Sequence, residues 1–158
     1  MLEIPEKLFN IDVNDIEVGL SEFHMYRKDE IEEAQAGYRY DELTGEPIED
    51  WIGEEYIVIG NDSCCGDPII AKIDEDELPI YSMFYDDWSS LQMISNSLEQ
   101  FVNILKKLDK TDLKDKEECK KIFEEIKKEV PSMSFDYWEG LIAVTYEFLT
   151  NDKYWEET

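Results

Sequence analysis

The chain has 158 residues, of which 42% are hydrophobic and 13% aromatic, a size and composition that suit one folded domain and exclude a disordered chain. Its 40 acidic and 15 basic residues give a formal net charge of −25, which excludes nucleic acid and anionic lipid as partners, because both are bound through clustered Lys and Arg. The charge favours a basic protein partner, or it serves only to keep the protein soluble.

The first half of the chain predicts a small sheet. The alternating segment near 21–26 is typical of a strand, and good helix formers follow it. Three further runs rich in apolar residues predict strands near 55–60, 67–73 and 78–85. Because these runs are close in sequence, we expect an antiparallel meander.

The second half predicts helices. Apolar residues recur at helical spacing in three segments, 97–108, 113–130 and 135–149. The third segment is the most apolar, and its spacing predicts that one set of side chains faces inward: Phe135, Trp138, Leu141, Ile142, Tyr146 and Leu149. Since strands come first and helices later, the predicted class is α+β, with a central, mainly antiparallel sheet and helices packed against it.

The N-terminus and the cysteines indicate a compartment. MLEIPEKLFN has neither the basic nor the apolar region of a secretory signal, and no apolar run reaches the roughly 18 residues of a membrane helix. Three cysteines, two of them adjacent, do not form a disulfide framework. We therefore expect a soluble cytoplasmic protein.

The segment IGNDSCCGDPI, residues 59–69, allows three interpretations. It could be a catalytic loop in which Cys64 uses His24, the only histidine, as its base, or it could be a metal site. Acidic neighbours raise the pKa of a thiol, and adjacent cysteines do not easily chelate one ion. Two glycines and an Asn-Asp pair favour the third interpretation, a turn between strands. We therefore expect no catalytic residue, no metal and no cofactor.

Two tryptophans lie beside acidic residues, a pattern typical of interface anchors. Trp51 lies within the turn-rich loop 37–55, which after Arg39 has seven acids and no base. Trp88 follows Asp86 and Asp87. Alternatively, Trp51 covers the sheet and Trp88 fills the corner between a strand and a helix.

The run from Trp51 to residue 108 resembles the SUKH superfamily, which includes bacterial toxin-immunity proteins and the yeast cell-wall-assembly regulator domain. The resemblance rests on the order of five short motifs: Ile59-Gly60, Gly66-Asp67, Ile80-Tyr81, Asp86 to Trp88, and Ser97 to Val102. It implies a single α+β domain over 1–158, with a core at about 21–108 and a helical C-terminal extension at about 110–158.

The resemblance also implies a function. Many members of this superfamily bind and neutralise a toxin, often a nuclease, so we expect a binding protein and not an enzyme. The alternative is a general intracellular interaction module with an endogenous regulatory partner and no toxin. An enzyme or metal protein that uses residues 62–67 is the third hypothesis. The negative charge agrees with the first, since a nuclease is basic where it holds nucleic acid.

The candidate partner-binding residues come from two acidic segments. They would steer and capture a basic toxin domain, and strong self-repulsion favours a monomer. The candidates are Asp50, Trp51, Glu54, Glu55, Asp74, Glu75, Asp76 and Glu77.

Overall fold

The sheet is a six-stranded antiparallel meander. The computed structural model describes residues 4–10, 15–18, 21–51, 53–62, 66–84 and 87–155. Each strand pairs with the next along the chain, in the order β1 to β6. The strands are β1 Asp15–Val18, β2 Ser21–Met25, β3 Tyr56–Asp62, β4 Asp67–Lys72, β5 Ile80–Phe84 and β6 Asp87–Ser95. The predicted α+β class and the antiparallel sheet are confirmed.

Four α-helices accompany the sheet within the described residues: α1 Lys28–Ala34, α2 Leu98–Asp109, α3 Lys116–Lys127 and α4 Phe135–Thr150. Two short 3-10 helices are also described: Glu6–Asn10 precedes β1, and Ser132–Ser134 lies directly before α4. Side-chain caps define where two of the α-helices begin. The Ser97 hydroxyl accepts a hydrogen bond from the Gln100 amide at 3.0 Å, and the Asp115 carboxylate accepts one from the Glu117 amide at 2.9 Å.

The main core lies between one face of the sheet and the helices. Ile57 and Ile59 of β3 alternate onto this face, where they join Phe101 of α2 and Trp138 of α4, all fully buried. The Trp138 indole also donates a hydrogen bond to the Ile94 carbonyl at 2.7 Å, which ties α4 to β6. The C-terminal helices therefore share the core of the sheet.

The predicted inward face of α4 is wrong at Leu149. Trp138, Ile142 and Tyr146 are buried as expected, but Leu149 is 39% exposed. Val144 and Phe148, which the spacing places outside the stripe, are more than half exposed. The spacing therefore selected the buried side of α4 but not the point where burial ends, because Leu149 lies in the last turn of a helix that ends at Thr150.

Two strands lie outside the predicted set. Strand β1 is a four-residue acidic segment in which only Ile16 and Val18 are buried. Strand β6 carries Trp88, so the prediction that Trp88 fills a strand-to-helix corner is wrong. Both strands are at the edges of the sheet, where polar side chains are tolerated and the apolar pattern is weak.

A glutamine side chain completes the sheet where β2 ends. Strand β2 stops at Met25, and α1 follows beside β3. The Gln35 amide accepts a hydrogen bond from the Val58 N–H at 2.9 Å and donates to the Val58 carbonyl at 2.7 Å. Gln35 thus satisfies the two backbone groups of β3 that a longer β2 would have paired.

Candidate functional site

The two acidic segments meet at one end of the sheet. Strand β3 begins there, β4 ends there and β5 begins there. The Ile73 amide donates a hydrogen bond to the Glu55 carbonyl at 2.7 Å, which places the turn before β3 against the turn after β4. We call the carboxylates of this region the acidic end: Asp50, Glu54, Glu55, Asp74, Glu75, Asp76 and Glu77.

The acidic end concentrates negative charge on exposed side chains. Residues 41–55 have seven acids and no base, and residues 72–77 have four acids and Lys72, so the two segments hold eleven acids and one base. All members of the acidic end are exposed except Glu55, which is partly buried. Lys7 adds one more base in space, because its ammonium donates to the Asp76 carbonyl at 2.9 Å. The large excess of acids still attracts a basic partner over a distance of about one Debye length, roughly 8 Å at physiological salt.

Backbone geometry holds both acidic turns in shape. Gly53 has φ +146°, and its carbonyl accepts a hydrogen bond from the Tyr56 amide at 3.2 Å. Leu78, which closes the second turn, has φ 55°, an unfavourable value for a leucine. Its side chain is only 2% exposed in the main core, and this burial holds the strained conformation. The carboxylates therefore project from anchored turns.

Lys72 is paired within the acidic end. Its ammonium donates to the Glu75 carboxylate at 2.9 Å and lies 3.4 Å from Asp74. The hydrogen bond with Glu75 raises the pKa of Lys72, so its charge is permanent at neutral pH. Its positive charge is accordingly matched by two of the carboxylates beside it.

A cluster of aromatic side chains covers the opposite face of the sheet. Val58, Ile70 and Met83 are buried on this face, and partly exposed rings pack over them. Tyr26 is one of these rings, and we call the other five the aromatic face: Tyr38, Trp51, Tyr56, Tyr81 and Trp88. No residue of this described cluster belongs to a helix.

The aromatic face adjoins the acidic end through Trp51 and Tyr56. The Trp51 indole donates a hydrogen bond to the Tyr56 carbonyl at 3.2 Å, and its ring contacts that of Trp88 at 5.5 Å. The Tyr56 ring meets that of Tyr81 at 5.4 Å. Tyr56 is also the register partner of Lys72. The structure thus brings all eight candidate residues to one region and adds rings that the sequence interpretation did not select.

Period-two alternation could have identified the missed rings. Tyr56 and Val58 are two residues apart in β3, and Tyr81 and Met83 are two apart in β5. Residues at this spacing share a face of a strand. Reading each strand as a continuous apolar run concealed this second face.

The cysteine-rich segment is described only at its flanks. Cys64 and Cys65, with Ser63, lie outside the described residues. Asp62 and Asp67 are register partners across β3 and β4, and the Gly66 amide donates to the Asp62 carbonyl at 2.7 Å with φ 73° at the glycine. These flanks have the geometry of a tight turn between strands.

His24 is engaged with carboxylates. Its Nδ1 lies 2.6 Å from an Asp15 oxygen and its Nε2 lies 3.4 Å from a Glu30 oxygen. The hydrogen bond with Asp15 raises the pKa of His24, with Glu30 adding to the effect against partial burial. Both ring nitrogens therefore have acidic partners, an arrangement that favours the imidazolium form.

Within the described residues, no three His, Cys, Asp or Glu side chains come together in a way that could hold a metal ion. None of the helices in the described part of the chain combines the length and the apolar composition needed to cross a membrane. Comparisons of the chain with protein-family models, with curated proteins and with solved structures find no match.

Proposed function

We propose that this protein is a non-catalytic binding protein that neutralises a basic toxin domain, with the acidic end as its capture surface. The observation that carries the proposal is the hydrogen bond from Ile73 to Glu55, because it joins two separate acidic segments into one surface. The SUKH resemblance, which remains a prediction, supplies the toxin as the class of partner.

The acidic end can act on a basic partner in two ways, by attracting it and by occupying its phosphate-binding side chains. A cluster of exposed carboxylates on a chain of net charge −25 raises the local concentration of a basic protein and orients its approach. A nuclease domain is one such protein, since its phosphate-binding side chains must be basic. Carboxylates that occupy those side chains would exclude the nucleic acid and thereby inhibit the enzyme.

The test compares three tagged proteins as bait in a lysate of the source organism. The first is wild type. The second replaces the seven carboxylates of the acidic end by the corresponding amides. The third is a control with the same number of exposed acids neutralised elsewhere, at Glu17, Asp29, Asp109, Glu117, Glu124, Glu125 and Asp136. Both variants have a formal net charge of −18, because seven negative charges are removed from −25.

We expect wild type and the control to retain the same basic protein in stoichiometric amount, and the acidic-end variant to lose it. The purified partner should arrest growth when expressed in a heterologous host, and co-expression of wild type should restore growth. Retention of no basic protein, or equal retention by both variants, would contradict the proposal. A retained protein that is not toxic would support the general interaction module instead.

A further inference from the structure

The two faces of the sheet are covered in unequal ways. Helices pack against one face, and side chains there such as Ile57 and Ile59 have no exposed surface. On the opposite face only Val58, Ile70 and Met83 are buried among the described residues. Aromatic side chains, not a second layer of helices, separate these three from solvent. Partly exposed aromatic residues are what protein interfaces use as anchors.

The rings of the aromatic face are held rigidly. Trp51 contacts both Tyr38, with ring centroids 6.5 Å apart, and Trp88, at 5.5 Å. The Tyr56 and Tyr81 rings meet at an interplanar angle of 89°. Edge-to-face contacts of this kind are favourable, and all five residues of the aromatic face remain partly exposed. Because the rings are already ordered, a partner that binds to them loses little additional side-chain entropy.

Lys72 shows which chemical group can lie where the acidic end meets the aromatic face. Its ammonium lies between the carboxylates of Asp74 and Glu75, and Lys72 is in register with Tyr56. Lys72 also lies two residues after Ile70 in β4, so it is on the same face of the strand as that buried member of the aromatic cluster. A cation of this chain therefore already pairs with two carboxylates of the acidic end at a position in register with Tyr56 of the aromatic face.

We propose that the aromatic face receives arginine side chains of the basic partner. One guanidinium group stacks on Trp51, where the acidic end pairs with its charge, and another stacks on Trp88, whose ring contacts that of Trp51. The inference deepens the proposed function and rests on it for the identity of the partner as a protein. Arginine fits better than lysine for two reasons. Its planar guanidinium stacks on aromatic rings and loses hydration more easily, and it also pairs with carboxylates through two parallel hydrogen bonds.

The test uses a short peptide, acetyl-Arg-Gly-Arg-Gly-Arg-amide, and its lysine counterpart as probes of the full-length protein. The four tryptophan indole N–H signals are followed by NMR during titration and assigned with single Trp→Phe variants. Trp51 and Trp88 report on the aromatic face. Trp138 is 0% exposed and reports on the core, whereas Trp155 is 53% exposed and reports on non-specific attraction to an acidic protein.

We expect the arginine peptide to shift the signals of Trp51 and Trp88 and to leave Trp155 and Trp138 unchanged. The lysine peptide should bind more weakly, by about threefold or more. Trp88→Leu keeps an apolar side chain but removes the ring, so it should weaken binding of the arginine peptide by about threefold to tenfold. Trp155→Leu, the matched control, should bind as wild type does.

Equal shifts at Trp155, or equal affinity for the two peptides together with normal binding by Trp88→Leu, would overturn the inference. The wild-type titration decides the matter even if Trp88→Leu does not fold. The two proposals can fail separately. If the acidic end captures a basic protein but the peptide does not shift Trp51 and Trp88, only this inference is contradicted. If the arginine peptide binds specifically but no basic protein partner is found, only the proposed function is contradicted.

Discussion

Replacing Gln35 by methionine should lower the free energy of unfolding by about 3–5 kcal/mol. The Gln35 side chain is 0% exposed and makes three hydrogen bonds, two to the backbone of Val58 and one to the Ile31 carbonyl at 2.8 Å. Methionine has a similar volume but leaves three backbone groups without partners where water cannot reach. Each unpaired group costs roughly 1–3 kcal/mol, partly offset by the apolar side chain.

The loss would be a large share of the total stability, which for a domain of this size is about 5–15 kcal/mol. Urea denaturation followed by far-UV circular dichroism measures the change. The same exchange at Gln92, a half-buried residue of β6, is the control and should cost less than about 1 kcal/mol.

Gln35→Glu keeps the shape of the side chain but removes its N–H donor, so it tests hydrogen bonding separately from packing. A carboxylate at this position would face the carbonyl oxygens of Ile31 and Val58 and would be buried, so its folded-state pKa should lie above the value in the unfolded chain. A protein with such a carboxyl group becomes less stable as pH rises above the pKa of that group in the unfolded chain, near 4.3. The variant should therefore be least stable at neutral pH. If Gln35→Met lies within 1 kcal/mol of wild type, the reasoning about the buried amide is wrong.

Two further predictions concern ionisable groups. The pKa of His24 is raised in the folded state, so its contribution to stability is complete below about pH 6.5 and is lost as pH rises through the folded-state pKa. Between pH 6 and 8.5, wild type should therefore lose resistance to urea relative to His24→Gln. Parallel plots of stability against pH for the two proteins would refute this. Cys119 is buried, and burial raises its pKa to about 11, so iodoacetamide at pH 8 should leave it unmodified in the native protein and modify it in urea, as judged by peptide mass spectrometry. Rapid native modification would contradict this placement.

The sheet was predictable where its strands are central and apolar. Strands β3, β4 and β5 are rich in isoleucine and are buried on both faces, so their composition alone indicates strands. Edge strands β1 and β6 carry acidic and polar residues and give no such signal. The partner of Val58 could not be predicted, because the contact of a glutamine side chain with backbone 23 residues away has no local pattern.

The position of the acidic end could be predicted from the order of the strands in the meander. In three antiparallel strands, the start of β3, the end of β4 and the start of β5 must lie at one end, and the acidic segments flank those positions. The aromatic face required in addition the alternation of Tyr56 with Val58 and the fold of loop 37–55 back onto β3, shown by the bond from Trp51 to Tyr56. The loop has no periodicity from which that return could be predicted.

If the acidic end steers a basic partner, the association rate constant must depend on ionic strength through these seven carboxylates. With the captured partner in stopped-flow fluorescence, wild type and the control variant should lose association rate steeply as salt rises. The acidic-end variant should associate about tenfold or more slowly at low salt and show a shallower dependence. Identical slopes for the two variants of net charge −18 would show that total charge alone acts, and would contradict the claim.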